Sequence, residues 1–174
     1  MTIQTRTLEQ ILTQLAEDLE IPEELATAAR DEYQRLAHWL DEQDNAHGRR
    51  EPKIYSQGSF RLGTTIRPME GDYDVDLVYE RDLRKDSISR EQLKEDAGEQ
   101  LASYTAYLSE SNERTPQLAD EGRRCWTLDY PGEFHMDILP AIPDDEAQFD
   151  GSGILITDRR EDRWQFSDPV GFGD

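Results

Sequence analysis

The stretch Tyr73-Asp-Val-Asp-Leu-Val-Tyr79 contains the clearest β-strand pattern in this sequence of 174 residues. Side chains alternate between the two faces of a strand, so Val75 and Leu77 share one face while Asp74 and Asp76 share the other. The apolar face suits a buried core. We therefore expect a strand that brings both carboxylates out together on its second face.

Helices are predicted on both sides of this strand. Thr7-Leu-Glu-Gln10 fits a capping box, and the leucine spacing that follows it favours a helix over residues 7–19. Pro22 is typical of a first helical position and opens a second helix, which we expect to end near Asp44. Ser89-Arg-Glu-Gln92 is another capping box and opens a third helix.

The rest of the chain predicts a loop and a hairpin. Residues 109–123 are polar and are expected to form a loop. Residues 124–130 and 133–139 flank Pro131-Gly132, which is a hairpin signal. Together these elements indicate an α+β fold rather than a helical bundle.

Three acidic residues and a small turn form the candidate site. Asp137 lies in the second arm of the hairpin, on the face opposite its apolar residues. Fourteen residues separate the turn Gly58-Ser59 from Asp74, and the backbone N–H groups of this turn can approach phosphate oxygens. Asp74, Asp76 and Asp137 offer the hard oxygen ligands that a pair of Mg²⁺ ions takes. Two such ions can stabilise the attacking and leaving oxygens in a displacement at phosphorus.

The composition excludes several classes of protein. The net charge is −20, and so acidic a surface repels phosphate backbones and anionic lipids. We therefore expect no strong binding to long nucleic acids and none to membranes. The single cysteine, Cys125, excludes an internal disulfide framework and a Cys-rich zinc site. We see neither a membrane-spanning apolar run nor a signal peptide, which predicts a cytoplasmic protein.

The order Gly58-Ser59, Asp74, Asp76 and Asp137 resembles the signature of the DNA polymerase β-like nucleotidyltransferase superfamily. Longer stretches of the sequence resemble one branch of this superfamily, the bacterial cyclic-oligonucleotide synthases (CD-NTases). These enzymes are relatives of cyclic GMP-AMP synthase and oligoadenylate synthase. The resemblance implies a polymerase β-like core, a mixed sheet flanked by helices, with a helical segment before it. The strings that carry it are Tyr55-Ser-Gln-Gly-Ser-Phe-Arg-Leu-Gly-Thr-Thr-Ile-Arg-Pro68, Tyr73-Asp-Val-Asp-Leu-Val78 and Met136-Asp-Ile-Leu-Pro140.

The resemblance also implies a function. The protein would join nucleoside triphosphates, such as ATP and GTP, into a cyclic or linear oligonucleotide second messenger and release pyrophosphate, in anti-phage signalling of the CBASS type. Asp74 and Asp76 would hold two Mg²⁺ ions, or Mn²⁺ in their place, and Asp137 would complete the second metal site and help to deprotonate the attacking hydroxyl. Gly58 and Ser59 would bind the phosphates. A regulatory or effector protein encoded nearby would be a partner.

The same resemblance divides the chain near residue 50. Residues 1–50 are expected to form a helical segment packed on the core, and residues 51–174 the nucleotidyltransferase core itself. Ser167-Asp-Pro-Val-Gly-Phe172 is similar to the stretch at which family members continue into a helical C-terminal half. We expect that half to be absent from this chain.

The sequence leaves other interpretations open. The same fold could transfer a nucleotide to a protein, a tRNA or a small molecule, or the chain could be a truncated, non-catalytic module that binds nucleotide or a partner. His135 shares a strand face with Asp137, but an ordinary strand histidine is expected. Asp129 is expected only to flank the turn, and Arg61 and Arg67 are expected to be structural or surface residues.

Overall fold

The computed structural model describes residues 7–46, 52–62, 64, 66, 72–111, 113–119, 121–146 and 153–171. Helices and strands alternate irregularly along these residues, with the strands concentrated in the second half. Their bounds are α1 (Leu8–Leu19), α2 (Glu23–Ala46), β1 (Lys53–Ser56), α3 (Gly58–Leu62), β2 (Tyr73–Glu80), α4 (Arg90–Glu110), β3 (Gln117–Leu118), β4 (Trp126–Tyr130), β5 (Phe134–Pro143), β6 (Ile154–Ile156) and β7 (Gln165–Ser167).

Both predicted capping boxes form. At the start of α1 the Thr7 N–H donates to Gln10 Oε1 at 3.0 Å, and the Gln10 N–H donates to Thr7 Oγ1 at 3.3 Å. At the start of α4 the Ser89 N–H donates to Gln92 Oε1 at 3.3 Å, and the Gln92 N–H donates to Ser89 Oγ at 3.1 Å. These bonds satisfy N–H groups that have no partner inside a helix, which is why the helices begin where the sequence predicts.

The strands form one mixed sheet in the order β1-β2-β5-β4-β3, with β6 paired to β5 and β7 paired to β6. Strands β2 and β5 run parallel, and the other described pairs are antiparallel. The predicted hairpin is confirmed as β4 and β5, joined through Gly132, whose φ is +77°. The parallel pair places the predicted strand of residues 73–79 directly beside the second arm of the hairpin.

One face of the sheet packs against α2 and α4. The residues of this core are fully or almost fully buried and come from both helices and from β2, β4 and β5. They include Leu36 and Leu40 of α2, Leu101 and Tyr104 of α4, Val75 and Leu77 of β2, Leu128 of β4, and Met136 and Ile138 of β5. Because residues alternate along each strand, the side chains between them lie on the opposite face. The α+β class with a mixed sheet flanked by helices is therefore confirmed.

Two sequence-based predictions need correction. Residues 109–123 are not only a loop, because α4 continues to Glu110 and the two residues of β3 pair with β4. So short an edge strand leaves no alternation to detect. Gly58-Ser59 is not an open turn, because it begins the short helix α3. Residues 63–68, which include the β-branched residues Thr64, Thr65 and Ile66, lie mainly outside the described residues.

Candidate active site

Three neighbouring strands bring the predicted carboxylates onto one face of the sheet. Asp76 of β2 is paired in register with Asp137 of β5, and Asp137 is paired in turn with Thr127 of β4. Asp74 lies two residues before Asp76 and therefore on the same face. This face is the one that does not pack against α2 and α4. The structure thus brings Asp74, Asp76 and Asp137 together, as their positions in the sequence suggested.

The three carboxylates differ in exposure and interact electrostatically. Asp74 is exposed, whereas Asp76 and Asp137 are partly buried. Burial raises the pKa of Asp76, and the negative charges of Asp137 and Asp74 raise it further. Like charges held this close repel one another, so a cation placed between them would relieve the repulsion. Oxygen donors and crowded negative charge together suit a hard divalent cation.

Gly58 lies against Asp76. Its φ is +62°, and a Cβ atom built on it would lie 2.6 Å from Asp76 Oδ2. The preceding residue is tied to the same strand, because the Gln57 N–H donates to the Asp76 carbonyl at 2.9 Å. A side chain at residue 58 would therefore occupy the space of the carboxylate. Gly58 and the adjacent Ser59 are held directly beside the acidic face.

Thr127 contacts the third carboxylate. Its hydroxyl donates to Asp137 Oδ1 at 2.5 Å, across the antiparallel pair of β4 and β5. Thr127 was not selected from the sequence, since a threonine in a strand is ordinary. A hairpin centred on Gly132 does, however, pair residue 127 with residue 137. The signal was therefore present in the predicted turn.

A second group of titratable side chains lies on the same face of the sheet, two residues before Asp137 along β5. His135 is paired in register with Asp74 on one side and with Asp129 on the other. His135 Nδ1 lies 3.1 Å from Asp129 Oδ1, and His135 Nε2 lies 3.8 Å from Asp72 Oδ2. Asp129 therefore contacts His135 as well as flanking the turn. One ligand atom from each of Asp72, Asp129 and His135 lies within 4.8 Å of the others.

Other residues considered in the sequence have more ordinary surroundings. Arg61 donates to the Pro169 carbonyl at 3.5 Å, and Arg67 lies outside the described residues. Cys125 packs beside a cluster of buried apolar residues, as expected for a small hydrophobe. Burial raises the pKa of its thiol to about 12, and the charges of Asp137 and Asp76 add to the rise. The thiol is therefore protonated at neutral pH.

A separate cleft of about 250 Å³ lies between the first turns of α4 and residues 157–162. Its cations are already paired: Lys94 Nζ donates to the carbonyls of Gly122 and Arg123, and Arg159 lies 3.4 Å from Glu121. It does not contain the carboxylates of β2 and β5. The acidic face is therefore the candidate site.

A mixed sheet flanked by helices, with carboxylates on β2 and β5 facing a glycine-serine element, is a polymerase β-like nucleotidyltransferase fold. Residues 6–174 match the Second Messenger Oligonucleotide or Dinucleotide Synthetase domain, and the chain belongs to that family. The resemblance to CD-NTases that the sequence suggested is therefore confirmed.

Curated relatives and a solved structure agree with this assignment. The chain is 26% identical over 166 residues to a c-di-GMP synthase of Roseivirga ehrenbergii. It is 27% identical over 136 residues to the cyclic dinucleotide synthase CdnG of Bradyrhizobium diazoefficiens. The structure of the Bradyrhizobium CD-NTase CdnG in complex with GTP covers 97% of this chain, with a TM-score of 0.75 at 23% identity. That structural similarity establishes the fold alone.

The matches cover between 77% and 97% of this chain but less than half of each relative. They include 95% of this chain and 42% of the Roseivirga protein, and 77% of this chain and 30% of the Bradyrhizobium protein. The matched part of the solved CdnG structure is 46% of that chain. Among the described residues, no helix combines the length and apolar character that a bilayer span requires.

Proposed function

We propose that the chain is the catalytic core of a nucleotidyltransferase that joins nucleoside triphosphates into a cyclic or linear oligonucleotide second messenger. The observation that carries this proposal is the cross-strand arrangement of Asp74, Asp76 and Asp137 on one face of β2 and β5. Membership of the synthetase family supports the reaction class. The relatives named as c-di-GMP and cyclic dinucleotide synthases support a cyclic product.

Asp74, Asp76 and Asp137 are the residues that would hold divalent metal ions, with Mg²⁺ the first candidate and Mn²⁺ an alternative. The fit rests on the donor set, since three carboxylates lie on one face and crowding by like charge raises the pKa of Asp76. Bound there, two such ions supply positive charge opposite the triphosphate and the leaving pyrophosphate.

Gly58 and Ser59 would bind the phosphates of the incoming nucleotide. Gly58 approaches Asp76 so closely that its backbone lines the acidic face, and Ser59 follows it at the start of α3. GTP is the nucleotide present in the solved CdnG structure, which supports nucleoside triphosphates as substrates. Asp137 would accept the proton of the attacking 2′- or 3′-hydroxyl. The hydroxyl oxygen then bonds to the α-phosphorus, and the bond to the β-phosphate breaks with release of pyrophosphate.

We further propose that the messenger acts in anti-phage signalling of the CBASS type, in the cytoplasm, with a regulatory or effector protein as partner. The resemblance to the bacterial synthases supports this role. Division of the chain into a helical segment (residues 1–50) and a catalytic core (residues 51–174) belongs to the same proposal. The matched region is under half of the longer relatives, and the family resemblance implies that residues following the catalytic core in those proteins take part in selecting the base.

Incubation of the chain with radiolabelled ATP and GTP in Mg²⁺ tests the proposal. We expect a phosphatase-resistant cyclic product, or a linear oligonucleotide, and no product from the Asp74→Asn, Asp76→Asn double variant. The matched control is the Asp86→Asn, Asp145→Asn double variant, which removes two exposed carboxylates elsewhere and should keep full activity. Product from the Asp74, Asp76 variant would contradict the proposal.

The same experiment separates the alternative interpretations. Binding of ATP with Mg²⁺ but no turnover would favour a non-catalytic module, for which the partial coverage of the relatives is the motivating observation. Label transferred to an added protein, tRNA or small molecule, with no oligonucleotide, would favour a different acceptor.

A further inference from the structure

We propose that Thr127 is a positioning residue that sets the orientation of the Asp137 carboxylate, a role that rests on the proposed function. Thr127 and Asp137 are directly paired in the β4–β5 register. The Thr127 hydroxyl donates to Asp137 Oδ1 at 2.5 Å, and both side chains are partly buried. Thr127 itself need not touch substrate, because it acts through the carboxylate.

The two strands that flank β5 place a hydrogen-bond acceptor on one side of Asp137 and a donor on the other. On the β2 side its register partner is Asp76, whose ionised carboxylate can only accept hydrogen bonds and repels a second carboxylate. On the β4 side its partner is Thr127, whose hydroxyl donates. The bond fixes Oδ1 toward β4, so the carboxylate cannot rotate freely in response to the repulsion from β2.

Threonine is well suited to this task. Its β-branched side chain is restricted at χ1, so the hydroxyl oxygen is held in place more firmly than that of an unbranched side chain. Hydrogen bonds to an ionised acceptor are shorter and stronger than neutral ones. A carboxylate offers about four acceptor positions, and this bond uses one of them. Asp137 can therefore be oriented by Thr127 and still bind a cation or accept a proton.

Metal affinity measured with the intact chain tests the role without relying on turnover. Binding of Mn²⁺ in the presence of a non-hydrolysable ATP analogue is followed by electron paramagnetic resonance. Removing an outer-shell partner of a metal ligand weakens affinity by about tenfold or more, so we expect that loss for Thr127→Val. Thr127→Ser keeps the donor and should stay close to the unmodified chain.

Two further variants serve as references. Asp137→Asn removes the carboxylate itself and should weaken Mn²⁺ binding more than Thr127→Val does. Thr157→Val makes the same substitution at a buried threonine outside the acidic face, and it should leave Mn²⁺ affinity unchanged. Far-ultraviolet circular dichroism checks that each variant is folded, and Thr127→Ala is a second donor-free variant in case valine disturbs β4.

The outcomes distinguish the two proposals. Mn²⁺ affinity that falls for Asp137→Asn but not for either donor-free variant would overturn the positioning role and leave the proposed function intact. Affinity that falls equally for Thr127→Ser and Thr127→Val would also overturn it, since a variant that keeps the donor would then bind no better than one that lacks it. Failure of the unmodified chain and of Asp137→Asn alike to bind Mn²⁺ would overturn the proposed function, and the positioning role with it.

Discussion

Gly58 leaves space for the Asp76 carboxylate by having no side chain. The obstacle to a Cβ atom at residue 58 is the tip of the Asp76 side chain, at 2.6 Å, rather than backbone. A flexible tip can move aside at little cost in folding free energy. It cannot move aside without changing the site. The glycine is therefore expected to matter more to binding than to stability.

The substitution Gly58→Ala tests this distinction. We expect it to lower the free energy of unfolding by about 1–2 kcal/mol, because an L-residue is strained at positive φ. The matched control is Gly132→Ala, where φ is also positive and a Cβ would meet nothing within 4 Å. Urea unfolding should give similar losses for the two variants, whereas binding of a Mn²⁺–nucleotide complex should be lost only in Gly58→Ala. Normal binding by Gly58→Ala would contradict the close approach.

Asp76 gives a pH-dependent prediction at the same scale. Its pKa is raised in the folded chain, mainly by burial and then by Asp137 and Asp74. A carboxyl whose pKa rises on folding favours the folded state below its unfolded pKa, and this stabilisation is lost as the pH rises through the folded pKa. Without metal, Asp76→Asn should therefore be more stable than the unmodified chain at pH 7.

Thermal unfolding measured from pH 3 to pH 8 checks how the stability difference between Asp76→Asn and the unmodified chain depends on pH. The advantage of Asp76→Asn should shrink as the pH falls through the raised pKa of the folded carboxyl, and it should be gone below about 4, near the pKa of an unfolded Asp. Adding Mn²⁺ at pH 7 should stabilise the unmodified chain and not the variant. Asp145→Asn, at an exposed loop position, is the control. An advantage that grew toward low pH would show that Asp76 is not destabilised by its neighbours.

At the scale of elements, α4 packs against β4 on the face of the sheet opposite the acidic face. Gly98 of α4 lies against the indole of Trp126 of β4, and a Cβ at residue 98 would overlap that ring. The Trp126 Nε1–H donates to the Lys94 carbonyl at 2.9 Å, which fixes the ring on the helix. Trp126 is the neighbour of Thr127, so this contact also locates the strand that touches Asp137.

We expect Gly98→Ala to lower the free energy of unfolding by about 1–2 kcal/mol. Overpacking costs about 1–3 kcal/mol, and the better helix propensity of alanine returns up to about 1 kcal/mol. The benzo ring that causes the overlap is absent in Trp126→Phe, so in that background Gly98→Ala should be neutral or stabilising. A double-mutant cycle by urea unfolding measures the coupling. Equal costs in both backgrounds would contradict the contact.

Local chemistry explains which elements could be predicted. The starts of α1 and α4 could be predicted because the capping boxes at Thr7 and Ser89 act within four residues. The hairpin could be predicted because Gly132 marks its turn. Strand β3 could not be predicted, because a strand of two residues is too short to show alternation of apolar and polar side chains. The parallel pairing of β2 and β5 depends on contacts between residues about sixty positions apart, which alternation within one strand cannot specify. Asp72 was not singled out from the sequence for this reason, since its approach to His135 depends on the pairing of β2 with β5.

At the scale of the whole molecule, the net charge of −20 sets the electrostatic background. Like charges spread over one small chain repel one another and favour expansion. The three carboxylates of the site are a small part of this excess. Of the other acidic residues that the structure describes, Glu32, Asp44, Glu80 and Asp158 are buried, and others such as Asp86 and Asp145 lie on the surface.

The charge predicts how stability depends on salt. Raising KCl from about 0.01 M to about 1 M shortens the screening length from about 30 Å to about 3 Å, which weakens the net repulsion. We therefore expect the melting temperature to rise with KCl. Differential scanning calorimetry in a metal-free buffer measures it. A melting temperature that fell with salt would indicate that the attractive ion pairs outweigh the repulsion.

Anomalous diffraction from crystals soaked with Mn²⁺ and a non-hydrolysable nucleoside triphosphate tests most directly that the face formed by Asp74, Asp76 and Asp137 is a metal-dependent nucleotidyl-transfer site. We expect manganese peaks within bonding distance of these three carboxylates, with the triphosphate beside Gly58 and Ser59. Manganese bound only at Asp72, Asp129 and His135, or a nucleotide bound without metal at the three carboxylates, would contradict it.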